Sequence, residues 1–182
     1  MVRLAFILLA LFLAAARADA AQDDPRLDGL FAQLKASRSA EEANEIQSTI
    51  WKIWMVAGSG EANLLLREGV AAMSRQDYDA AAASFSRVIE LEPGFAEGWN
   101  KRATVRFLMF DFTGSVLDIE RTILLEPRHF GALSGLGQIY MALDRPEAAL
   151  KAFEAALAVN PHLDSFRAAV EALKKELAGD PT

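Results

Sequence analysis

The only two imidazoles of the chain, His129 and His162, each stand just past a proline and lie far apart in sequence. That separation, in a sequence without a single cysteine, offers neither the close pair nor the thiolate companions of a metal centre. Both histidines are instead expected to cap or solvate a loop. Gly135-x-Gly137 supplies two glycines of a phosphate-cradling loop but no third. Ser134, between Leu133 and Gly135, lacks the arrangement of a nucleophile elbow. Asp23, Asp24 and Asp77 fit helix starts, where a carboxylate offsets the exposed N–H groups of the first turn. The residue types of catalysis are present without its spacings, so neither an enzyme nor a cofactor is expected.

The elements that must position these residues are marked by prolines. Pro93, Pro127 and Pro161 recur at one constant interval and close the strings IELEP, ILLEP and LAVNP. The same register aligns Gly69, Ala103 and Gly137; Asp77 and Asp111; Ala81, Ser115 and Ala149; Phe85, Ile119 and Phe153; and Ile89, Ile123 and Leu157. Small residues recur where two helices cross closely and large apolar ones where the stack needs filling. A period of ~34 residues belongs to helix-turn-helix units stacked side by side.

These columns resemble the tetratricopeptide repeat (TPR) family. The third unit matches best, with Leu136, Gly137, Tyr140, Ala149, Phe153, Ala156 and Pro161 in place. The second keeps Trp99 and Pro127 but has Arg102 and Arg106 where the family prefers Leu and Tyr; the first keeps Gly69, Ala81, Phe85 and Pro93. The resemblance covers residues 62 to about 162 and implies an all-α protein, a right-handed α-solenoid whose inner face binds protein. The strings EGWNKRATVR and EPRHFGALSG are similar to a subgroup of secreted bacterial and plastid TPR proteins.

Carrying the family's inner-face offsets onto this sequence implies a groove lined by Leu66, Val70 and Met73 from the first unit. Asn100, Lys101, Thr104, Phe107 and Leu108 follow from the second, and Ser134, Gln138 and Met141 from the third. Such a surface suits an extended or helical peptide with apolar anchors, its backbone held by Asn100 and Gln138. Some TPR co-chaperones grip a terminal carboxylate with cationic and amide residues at these offsets. Here Leu66, Val70, Gly131 and Gly135 occupy most of them, leaving only Asn100 or Lys101, so such a clamp is not expected. Arg102 and Arg106 fall at offsets usually buried. They are expected either to pair with an acid such as Glu68, Glu97 or Asp118, or to reach the rim of the groove.

The flanks have their own patterns. Residues 1–20 read as a secretory signal, with Arg3, the apolar stretch Leu4 to Ala16, and the small-x-small site Ala18-Asp19-Ala20. Thirteen apolar residues in a helix span only ~20 Å, short of a ~30 Å hydrocarbon core, which favours cleavage over anchoring. A periplasmic or secreted location follows as an expectation, with no stable membrane insertion after cleavage. Without that segment 17 basic and 24 acidic residues remain, a net charge of −7 that disfavours nucleic acid. Residues 21–60 show two amphipathic stretches, Leu27 to Leu34 and Ala43 to Val56, the second opened by a Ser39/Glu42 capping box. They read as a helical hairpin, a degenerate repeat or cap on the N-terminal face of the stack, or else a partner-binding arm carrying Trp51 and Trp54. Units of 61–94, 95–128 and 129–162 follow. Residues 163–182 give a solvated terminal helix with the apolar stripe Phe166, Val170, Leu173 and Leu177, stopped by Gly179 and Pro181. The whole reads as an adaptor or scaffold for a protein or peptide partner. The alternatives are an envelope assembly protein acting through self-association, or a chaperone-like factor.

Overall fold

The computed structural model describes residues 21–179, so the expected signal segment and Pro181 lie outside the described residues. A single 3-10 turn, Ala21–Asp23, leads into nine helices: α1 (Arg26–Ala36), α2 (Ala40–Trp54), α3 (Gly60–Ser74), α4 (Tyr78–Leu91), α5 (Ala96–Leu108), α6 (Phe112–Leu125), α7 (Phe130–Ala142), α8 (Pro146–Val159) and α9 (Asp164–Leu177). The pairs α3/α4, α5/α6 and α7/α8 are the three repeat units, and the described residues contain no strand. The all-α solenoid expected from the proline period is the fold observed.

Two recurring features build each unit. Within a pair, the chain turns through one left-handed residue at the same register position, Gln76, Phe110 or Asp144, with φ of 62°, 61° and 54°. The next residue caps the second helix in the first two units: Asp77 accepts from the Ala80 N–H and Asp111 from the Gly114 N–H. In the third, Pro146 takes the first helical position, where a missing N–H costs nothing. The close crossing of the two helices is set by a matched pair of residues. A Cβ on Gly69 would lie 2.5 Å from the Phe85 ring, and Gly137 meets Phe153 in the same way. In the second unit Ala103 and Ile119 fill the same crossing.

The acidic or amide residue before each proline acts on backbone. Glu92 accepts from the N–H groups of Gly58 and Ser59 at 2.8 and 2.7 Å, Glu126 from the N–H of Arg128, and Asn160 from that of His162. These contacts satisfy donors at the unit junctions that would otherwise be left without partners.

At the C-terminal end α9 covers the last apolar face, with Phe166 stacked on Phe153 at 5.1 Å and Val170 and Leu173 buried. Lys174 crosses to Glu154 at 2.9 Å, and Gly179, at φ 77°, ends the helix. At the N-terminal end the position of the hairpin differs from a cap on the open face of the first unit. α1 and α2 fold back over the second and third units, packing Phe31, Trp51 and Trp54 against Phe130, with Val159 and Leu163 alongside. Ser39 caps α2 through the Glu42 N–H, while Glu42 accepts from the N–H of Arg38, one residue before the expected one. The fold-back sets both tryptophans against rings, Trp54 on His129 and both on Phe130, contacts worth more than their buried area alone.

Candidate peptide-binding groove

The first helices of the second and third units, α5 and α7, run side by side and leave a cleft of about 100 Å³ between them. Asn100, Thr104, Phe107 and Gln138 line it, over a floor opened by Gly135, with Gly131 at its edge. A Cβ on Gly135 would meet only the Ile119 methyl at 3.7 Å, so the absent side chain is free volume and not tight packing. Of the two bare inner-face positions, Gly135 leaves the cleft open, whereas the space above Gly131 is taken by Trp51. Two glycines at successive inner-face offsets were the sequence signal of the cleft.

The other expected groove residues divide. Leu66 is 1% exposed and belongs to the core of the first unit, against which Val70 and Met73 also pack. Ser134 is buried and donates to the Gly131 carbonyl at 3.1 Å. Leu108 and Met141 are exposed but lie outside the cleft. Asn100 lines the cleft with its amide nitrogen committed to Glu97 at 2.9 Å, and Thr104 donates to the Asn100 carbonyl. Of the two amides expected to hold a peptide backbone, only Gln138 therefore remains exposed and uncommitted. Lys101 turns from the cleft to Glu97, 3.1 Å away.

Arg102 and Arg106 do not reach a rim. Arg102 grips both oxygens of Asp118 at 2.8 Å and Arg106 shares the same carboxylate at 2.9 Å, adding the Gly114 carbonyl. Trp99 stacks on the Arg102 guanidinium at 5.1 Å. Asp118 lies on α6 and is almost wholly buried, so this is an internal network that replaces the family's apolar contacts with charge-assisted ones.

Beside the cleft lies a second cluster that no sequence pattern assembles. Glu97 and His129 are both buried, with His129 Nε2 and Glu97 Oε2 at 2.9 Å. The His129 Nδ1 accepts from the Ala132 N–H, capping α7, so the ring proton sits on Nε2 and donates to Glu97. Burial pushes the Glu97 carboxyl up, but the His129 hydrogen bond and the Lys101 ammonium outweigh it and hold the group below the ordinary carboxylate range. Over this cluster lie the α2 tryptophans. Trp54 stacks on His129 at 4.3 Å and 9°, and the edge of Trp51 fills the space above Gly131. The capping role expected of a histidine past the proline is the one His129 performs. Its carboxylate partner, on the preceding unit, was hidden by the lack of any local pattern.

Repeated helix pairs stacked side by side, with a cleft on the inner face, define a helical repeat protein. Tetratricopeptide repeat patterns match residues 62–95 and 131–163. A TPR repeat-containing protein of Rhizobium etli is 38% identical over 157 residues, covering 86% of this chain and 77% of the relative. The chain belongs to the tetratricopeptide repeat family. A Hsp70-Hsp90 organizing protein of Triticum aestivum is 28% identical over 63% of this chain, which spans 20% of that relative's length. Among solved structures, the first TPR of Spaghetti (RPAP3), bound to an HSP90 peptide, aligns with TM-score 0.63 and 22% identity. It covers 66% of this chain and 95% of its own. MamA aligns over 87% of this chain and 85% of its own, with TM-score 0.61 and 18% identity.

Proposed function

We propose that this protein is a secreted or periplasmic bacterial adaptor that holds an apolar protein or peptide segment against the α5/α7 cleft. The observation that carries the reading is the cleft itself: glycine-floored, sized for one aliphatic side chain, and uncharged. The cations beside it are already paired, Lys101 with Glu97 and Arg102 and Arg106 with Asp118. An acidic or carboxylate-terminated ligand therefore meets no free positive charge from them, whereas an apolar anchor with Gln138 beside it is well matched. The signal-like residues 1–20 support the location. Gly135→Leu fills the cleft without opposing any packed neighbour. Affinity capture from envelope extract with wild-type protein and with this variant tests the reading: identical captured proteins, in equal yield, would falsify the groove.

Assembly through self-association is a second reading, favoured by one observation. The turn edge of the second and third units exposes Phe110 (79%), Leu117 and Leu143 around a hollow of about 500 Å³ bordered by Tyr140 and Arg145. Light scattering on wild-type protein and Phe110→Asp decides it: a multimer reduced to monomer by the substitution supports assembly, and a wild-type monomer at high concentration removes it.

A further inference from the structure

The inner face of the stack is a register of equivalent positions: Glu97 and Gly131 at the first turn, Lys101 and Gly135 at the second, Thr104 and Gln138 beyond. Thr104, Gly135 and Gln138 border the open cleft and Gly131 marks its end, but the face above Gly131 and Glu97 is covered. Trp51 of α2 lies on Gly131, where a Cβ would come within 2.7 Å of its ring, and stands under the Lys101 ammonium at 5.8 Å. Trp54 is stacked on His129, and both rings pack on Phe130. Part of the binding face is thus already filled by a helix of the same chain.

Three features mark this helix as separable from the stack. The hairpin packs mainly on itself, with Leu27, Leu34 and Ile50 fully buried, and it meets the repeats through Phe130, Val159 and Leu163, the Trp54–His129 stack, an Asp28–Arg128 pair and the Ser37–His162 contact. It joins the first unit through a short link in which Ala57, Gly58 and Ser59 are anchored to Asn63 and Glu92, so that the pivot falls at Met55 and Val56. Its seat is also incompletely satisfied: the Trp54 indole N–H is buried and finds no acceptor among the described residues. A buried donor without an acceptor weakens the closed arrangement and so favours exchange. The seat itself states what fits it: a bare glycine, a flat imidazole and a phenyl ring receive two large aromatics one helical turn apart.

We propose that α2 is an exchangeable lid on the inner face, and that the partner is an amphipathic helix carrying two large aromatic residues at i and i+3. Such a helix takes the seat of Trp51 and Trp54 as the hairpin swings out at Met55 and Val56, extending the groove from the cleft over Gly131 to Glu97. This rests on the inner face being the binding face, and the two readings fail differently. Loss of the groove reading is seen in capture by Gly135→Leu, loss of the lid in the measurements below.

The probe is a synthetic peptide of residues 38–57, used with the full chain in three forms. Trp51→Ala/Trp54→Ala empties the seat; Gly131→Leu expels the hairpin but fills the seat. In both variants the amides of residues 40–54 are expected to exchange at least tenfold faster than in wild type, while those of α3 to α8 keep their protection. The peptide is expected to bind the double variant at least tenfold more tightly than either wild type, whose seat is occupied, or Gly131→Leu, whose seat is blocked. The lid is overturned by unchanged exchange of residues 40–54 in both variants, by simultaneous loss of protection along the whole chain, or by equal peptide affinity for all three forms.

Discussion

Glu97 is a carboxylate that water does not reach, so its neighbours decide what it does. Three groups converge on it: the His129 ring, the Asn100 amide and the Lys101 ammonium. Removing it in Glu97→Ala leaves the first two as buried donors without acceptors, at a cost of about 2 kcal/mol, to be read from urea unfolding. The same group sets a pH dependence. Its folded pKa lies below the unfolded value, so its stabilisation is present above the unfolded carboxylate range, ~4.3, and drains as pH falls through the folded value. Wild-type stability should therefore fall on acidification below about pH 4 more steeply than that of Glu97→Gln, which keeps an acceptor but cannot titrate. Parallel pH profiles of the urea midpoint would contradict this. Asp118 is the other buried acid with two dependants. Asp118→Ala strands Arg102 and Arg106 together and should cost about 3 kcal/mol, the low end for a broken buried pair because Arg106 is partly solvated. Arg106→Ala, which leaves the Arg102 pair intact, should cost clearly less in the same unfolding experiment.

At the scale of elements, the pairing of Gly with Phe in two units and Ala with Ile in the other predicts a coupling. Gly137→Ala drives a methyl into the Phe153 ring and should destabilise by about 1–3 kcal/mol. Adding Phe153→Ile recreates the Ala103/Ile119 crossing and should recover at least half of that loss relative to the two single changes combined. A double-mutant cycle with additive effects would show that the two positions do not share one crossing. These columns were legible because a fixed register repeats the same local packing problem three times, and each solution can be checked against the others. The Arg102 and Arg106 network was half legible: their departure from the columns announced charge at a buried offset and put Asp118 among the partners. The hairpin's docking was not. Nothing local to Trp51 or Trp54 distinguishes a seat on the first unit from one on the third, since that choice rests on Gly131, Phe130 and His129, two repeats further along the chain. For the same reason Leu66 read as groove: one offset serves inner face and core alike, and the neighbouring helix decides.

Over the whole molecule, charge and binding surface are kept apart. The sequence carries a net charge of −6, yet the cations nearest the inner-face cleft are consumed internally, and the lining of Thr104, Phe107, Gln138 and glycine backbone carries none. Binding there should draw its free energy from apolar area, roughly 25 cal/mol per Å² removed from water, with no ion pair to lose to screening. A partner held by a clamp of free lysines and arginines would behave oppositely, because raising the salt shortens the Debye length from ~10 Å at 0.1 M to ~3 Å at 1 M. The affinity of the captured partner should thus change by less than about twofold between 0.1 and 1 M sodium chloride, the screening of exposed pairs being its only electrostatic cost. Isothermal titration at the two concentrations reads this directly, together with the negative heat-capacity change that apolar burial requires. A tenfold or greater loss at high salt would place the partner on the acidic outer surface, where charge is exposed, and not in the cleft between α5 and α7.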